Sequence, residues 1–199
     1  MKQILLGLSL TALATLAIAG HHETDEAAMA MPSEADIMAA MSAASTPGAP
    51  HKKLADSVGT FNAEMMMYMG PGAEPEAMQM TVERHLELGG RVLVENWKGS
   101  AMGQPFEGVG RTGYDNVTGK YWTTWNDTFS TGVLTMEGQW DAEIDGFVWT
   151  GEAVNPMTKQ TYTSRSVATY PSEDTEEMKM YENHGEGEYL SMTFKLTRE

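Results

Sequence analysis

From about residue 60 to the C-terminus, apolar and polar residues alternate in short runs instead of recurring every third or fourth position. The last run is the clearest. Leu190, Met192, Phe194 and Leu196 fall on one side, and Ser191, Thr193, Lys195 and Thr197 on the other. Leu134, Met136 and Trp140 alternate in the same way with Thr135, Glu137 and Gln139. A period of two marks a strand with one face in a core and one in water. Comparable runs cover 61–69, 78–88, 92–100, 107–114, 120–127, 131–141, 147–154, 162–170, 176–184 and 188–198. Turn formers separate them: Gly89-Gly90, Asn116-Val117-Thr118-Gly119, Asp145-Gly146, Pro156-Met157-Thr158 and Pro171-Ser172.

Strands with links this short pair in sequence and antiparallel, because a parallel pair needs a long crossover. A meander of this length curls, and closing it removes both exposed edges. The expected fold is therefore all-β: an antiparallel up-and-down barrel of about ten strands. A two-sheet sandwich is the alternative. Gly108, Gly110, Gly113, Gly138 and Gly151, all inside strand-like runs, fit the bends that a small barrel needs.

The segments before the barrel read differently. His51 to Ser57 resembles a short helical lid. Residues 20–50 are rich in Ala, Met, Glu, Ser and Pro and read as a tether. Within it, Ser33 to Ala44 has the makings of one short helix, disordered or loosely docked, with Ser33 as N-cap and Glu34 and Asp36 in the first turn. The first nineteen residues have the parts of a secretory signal. Lys2 is the positive end, Ile4 to Leu16 the apolar stretch, and Ala17-Ile18-Ala19 the small-x-small cleavage site before Gly20. The expected location is periplasmic or secreted. The apolar run is shorter than the roughly 20 residues of a membrane span, and without Cys at the cleavage point no lipoprotein anchor is expected.

Charge narrows the partners. The chain carries −15 formally, and loss of Lys2 with the signal makes this −16. Nucleic acid and anionic lipid are thereby disfavoured, since both are bound by neutralising phosphates with Lys and Arg. Export permits disulfides, but there is no Cys to form them. Stability must come from a core.

The order of several short motifs then points to a family. Gly89-Gly90-Arg91, Gly103-Gln104-Pro105-Phe106-Glu107-Gly108, Gly113-Tyr114-Asp115 and Trp125-Asn126-Asp127 resemble the bacterial family catalogued as domain of unknown function 1579. His51-Lys52-Lys53-Leu54, Val58-Gly59-Thr60, Arg165 and Arg198 fit the same pattern. The resemblance covers roughly residues 51–198 and implies a calycin-like barrel, related in shape to lipocalins, with no established activity. Phe61 departs from it, standing where members usually carry Trp, and keeps an aromatic plug.

Candidate chemistry centres on the barrel interior, where a barrel of this size holds one small ligand or fills with its own side chains. Met65, Met67, Met69, Met78, Met80, Met136, Met178, Met180 and Met192 lie on strand-like runs and suit either an adaptable pocket or a packed core. Trp125 and Asp127 share a face, and a buried carboxylate there needs a partner, for which Arg165 is the candidate. Such a pair either orients a ligand head group or fixes strand register. Trp97, Tyr114 and Trp149 are further candidates for wall or core.

Metal and cofactor signals are weak. The five histidines make no zinc spacing on a strand or helix. His184 occupies a late position comparable with the haem ligand of some calycin-like barrels, but the Gly-x-Trp-x-Gly-x-Gly run associated with them is missing, so haem is not expected. Processing after Ala19 would expose Gly20-His21-His22, an amine, amide and imidazole set suited to Cu(II) or Ni(II). No nucleophilic Cys, Gly-x-Ser-x-Gly elbow or Gly-rich phosphate cradle is present. The leading expectation is a non-catalytic barrel binding a small, largely apolar molecule, with Trp97, Tyr114, Trp125, Asp127 and Arg165 as ligand residues. A filled structural or interaction module of the cell envelope is the second reading, and a weak hydrolase or isomerase near Asp127 the third.

Overall fold

The computed structural model describes residues 31–199, so the expected signal, the Gly20-His21-His22 metal set and the first part of the tether lie outside the described residues. Ten strands close into an antiparallel up-and-down barrel, each bonded to its sequence neighbours and the first to the last. They are β1 (Gly59–Met67), β2 (Glu76–Glu87), β3 (Val92–Ala101), β4 (Gln104–Asp115), β5 (Lys120–Asp127), β6 (Leu134–Asp141), β7 (Gly146–Val154), β8 (Thr161–Ser172), β9 (Thr175–Asn183) and β10 (Glu188–Arg198). The alternation puts Phe61, Ala63 and Met65 of β1 inside, followed by Met78, Met80 and Val82 of β2. Across the closing seam, Ala63 faces Leu196 and Met65 faces Phe194.

Two apolar clusters occupy the interior. One gathers Phe61, Met80, Val82, Trp97, Phe106 and Leu196, with Trp125 and Phe194 packed against it. The other joins Leu93, Tyr121, Met136, Phe147 and Trp149 to Leu54. Glycine is required where an indole lies flat across the neighbouring strand. Gly138 stands opposite Trp149, and a Cβ on Gly138 would enter that ring. Gly108 meets the Trp125 ring in the same way.

Two strand ends depart from the alternation. The register slips between Leu190 and Met192, so Leu190 pairs with Tyr181 on the outer side while Met192 pairs with Met180 within. The extra residue of this bulge reverses the facing of Leu190, which the simple period assigns to the core. Ser191 sits buried there and donates to the Met180 carbonyl at 3.2 Å. At the other end, β6 starts at Leu134 rather than Thr131. The preceding residues form a turn in which the Phe129 N–H donates to Asp127 and the Asn126 amide to the Gly132 carbonyl.

Among the described residues, two helices precede the strands: α1 (Glu34–Ser45) and α2 (Ala49–Ala55). Ser33 caps α1, accepting from the Asp36 N–H while Asp36 accepts from Ser33. No residue of α1 is buried. Its C-terminal carbonyls are held instead by Arg91, which donates to Ser45, and by Asn116, which donates to Ala43, Ala44 and Thr46. The shorter α2 plugs one end of the barrel. Leu54 inserts into the core, His51 meets the edge of Tyr114, and the Lys53 ammonium lies over Trp140.

Candidate functional site

The strands fix where each expected site residue points. Trp97 and Trp125 face inward and meet edge to face, with ring centroids 5.8 Å apart. Tyr114 also faces inward, against Tyr121 and His51 under the plug. Asp127 shares the Trp125 face, but its partners are local: it accepts from the Trp125 Nε1–H at 2.7 Å and from the Phe129 N–H at 2.9 Å. Arg165 is not among them. In β8 the inward positions are Ser164, Ser166 and Ala168, which puts Arg165 on the outer wall. There it donates to both oxygens of Glu188 at 2.9 and 2.7 Å and covers the Tyr181 ring. The expected Asp127–Arg165 pair is therefore replaced by an exterior Arg165–Glu188 pair. The bond from Arg165 holds the Glu188 carboxyl below its ordinary pKa. His184 stacks on Tyr162 and bonds Glu182, at the end of the barrel opposite the plug.

The interior does contain an ionic group, made from other residues. Arg84 of β2 is buried and donates through Nε to Glu95 of β3 at 2.8 Å and through a terminal nitrogen to Glu176 of β9 at 2.6 Å. Burial works against the Arg84 charge, yet Glu176 and Glu95 more than offset it, so its pKa is pushed above the ordinary arginine value. Tyr170 closes the group. Burial raises its hydroxyl pKa well above that of a free phenol, with Glu176 adding to the effect and Arg84 opposing it. The run Glu173, Asp174, Glu176 and Glu177 reads from sequence as a solvated acidic turn, but Glu176 is buried; Arg84 and Glu95 escape the sequence reading, although each leaves a signal. Arg84 interrupts the apolar series Met78, Met80, Val82, Leu86, and Glu95 stands between Leu93 and Trp97. A charge in the inward register of a strand needs a partner inside.

Arg84, Glu176 and Tyr170 of this group form the floor of a cavity of about 720 Å³ at the plugged end, and Glu95 is not part of its lining. Phe61, Trp140, Phe147 and Tyr170 give it aromatic walls, while the chain leaving α2 and the β6–β7 and β8–β9 turns form its mouth. The volume lies within the roughly 300–1,000 Å³ typical of small-molecule sites, but the lining is more polar than is usual for them: beside the aromatic rings and Val58 it consists of polar and charged side chains. Elsewhere among the described residues, two buried side-chain polar atoms have no partner: the Trp97 indole N–H and the Ser164 hydroxyl, both on inward positions. Among the described residues, no group of three or more His, Asp or Glu side chains is placed to hold a metal ion.

Fold and site define a class: a closed ten-stranded antiparallel barrel with a helical plug and a solvent-facing cavity beside it. The sequence matches the model of the family described as protein of unknown function (DUF1579) over residues 46–198, and the chain belongs to that family. No curated protein matches it. Among solved structures it is similar to a redesigned β-barrel, at 12% identity over 73% of this chain and 94% of that one, with a TM-score of 0.37.

Proposed function

We propose that this protein is an exported, non-catalytic barrel that binds one small molecule in the cavity beside α2, rather than deep among Trp97 and Trp125. The largely apolar body of the ligand rests against Phe61, Trp140 and Phe147, and its polar group faces the charged side chains that line the cavity. The observation that carries this reading is the convergence of a buried ionic group and aromatic walls on one open cavity. Buried charge pairs are an expensive way to stabilise a core, so one placed at the floor of a cavity suits recognition. The apolar run from Ile4 to Leu16 and the small-x-small site after it support export.

A neutral apolar dye, N-phenyl-1-naphthylamine, tests the site. Saturable fluorescence enhancement is expected, weakened in Trp140→Ala and abolished in Ser172→Trp, which places an indole at the mouth. Dye binding that ignores both substitutions, or no saturable binding, overturns the reading. The second reading, a structural module, is favoured by the two side-chain clusters that occupy the interior. It predicts that protein purified from its host carries no small molecule in native mass spectra.

A further inference from the structure

The charges around the cavity define the class of ligand, an inference that rests on the reading that the cavity is a binding site. Every basic side chain there is already engaged. Arg84 is held by Glu95 and Glu176. Arg198 donates to the carbonyls of Val58 and Asp56 at 2.6 and 3.1 Å and lies 3.4 Å from Asp174. The Lys53 ammonium stands 3.2 Å from the centroid of the Trp140 ring. Of the five acidic side chains that line the cavity, Asp174 and Glu176 are paired, whereas Asp56, Asp145 and Glu173 have no basic partner among the described residues. Beneath them, Arg84 is bonded to two carboxylates, of which Glu176 lines the cavity.

The walls carry the same preference. Phe61 receives two guanidiniums, Arg84 at 5.0 Å and Arg198 at 4.6 Å, and Trp140 receives Lys53. Aromatic faces attract cations through the negative charge density above the ring. An anion entering this site would meet three unpaired carboxylates against one ammonium, Lys53, that has no carboxylate partner among the described residues. A neutral molecule would leave those carboxylates unanswered. We propose that the cavity selects a small organic cation, an ammonium group on an aromatic or apolar body. The ammonium lies toward Asp145 and Glu173, and the body lies along the aromatic walls. Lys53 acts as an internal competitor, a tethered ammonium already resting on the ring that the ligand would use. The net negative chain adds long-range attraction for the same class of molecule.

Three probes of matched size decide the matter by titration calorimetry: 2-phenylethylammonium, 2-phenylethanol and 3-phenylpropanoate. The ammonium is expected to bind roughly tenfold more tightly than the alcohol, from ion pairing and ring contact together, and the carboxylate most weakly. Added salt should erode the preference. Asp145→Asn with Glu173→Gln, both at exposed positions, should abolish the preference, bringing the ammonium down to the alcohol's affinity. Lys53→Met should tighten the ammonium alone. Equal or tighter binding of the alcohol or the carboxylate overturns cation selection and leaves the cavity as a site for another class of ligand. Failure of all three probes, together with failure of the neutral dye, overturns both proposals.

Discussion

Arg84→Met isolates the contribution of the buried ionic group. Methionine follows the course of the arginine stem, so the loss of packing is small and the effect is mainly electrostatic. What remains is a pair of carboxylates, Glu95 and Glu176, with side chains only 17% and 10% exposed and no countercharge between them. Removing one member of a buried charge group in this way costs about 3–5 kcal/mol. A domain of this size has roughly 5–15 kcal/mol in all, so the substitution removes a large share of it. The corresponding fall in melting temperature is roughly 6–20 °C. Urea and thermal unfolding followed by circular dichroism measure both quantities. The variant should recover stability as the solution is acidified, because protonation removes the stranded charge. The triple variant Arg84→Met, Glu95→Gln, Glu176→Gln should recover most of the loss without acid. If Arg84→Met falls by less than about 1 kcal/mol, or the triple variant is no better than the single one, the electrostatic account of the floor is wrong.

Ser164→Ala removes a buried hydroxyl with no partner and should raise stability by about 1 kcal/mol in urea melts; a loss of that size would show that the hydroxyl is satisfied in solution. Gly138→Ala should destabilise by about 1–3 kcal/mol, since the added methyl enters the Trp149 ring, and a neutral result would mean the ring moves aside. Alkaline pH should also weaken the fold. Burial, with Glu182 adding to it, pushes Tyr189 up to about 12, and burial holds Tyr170 well above the ordinary phenol. A raised folded-state pKa contributes stability that is complete below the unfolded value of about 10 and is lost as pH rises through the folded one. Tyr189→Phe should therefore flatten the loss above about pH 10 in pH-dependent urea melts; an unchanged slope refutes the assignment. Deleting residues 31–45 should change stability by less than about 1 kcal/mol, because α1 buries no side chain; a larger loss would mean that its contacts to Arg91 and Asn116 matter more than their exposure implies.

The architecture was legible because it rests on a local property. Residues two apart share a face, and the turn formers mark where each strand ends. The same parity placed Arg165 beside Thr163 and Val167, on the side opposite Ser164 and Ser166, so its outward direction was already present in the residues around it. An inward Asp127–Arg165 pair runs against that parity. Arg84, Glu95 and Glu176 were equally visible as charges in apolar registers. Their convergence was not, because it depends on closure bringing β9 within reach of β2. The facing of Leu190 was hidden by a bulge that only partner pairing reveals. The cavity was hidden for a similar reason: α2, two turns and the C-terminal Arg198 build it from segments far apart in sequence.

The seam between β1 and β10 joins Phe61 to Arg198, so the ring shuts only when the final strand arrives. Contacts that span almost the whole domain form slowly, because the intervening chain must be ordered first. During synthesis, β1 and β2 must wait as an open ribbon for a partner made last, with a free backbone edge exposed meanwhile. The same adjacency means that a short linker from Arg198 to Gly59 would let new termini be cut at any of the exposed turns, and the ring would then close at a different seam.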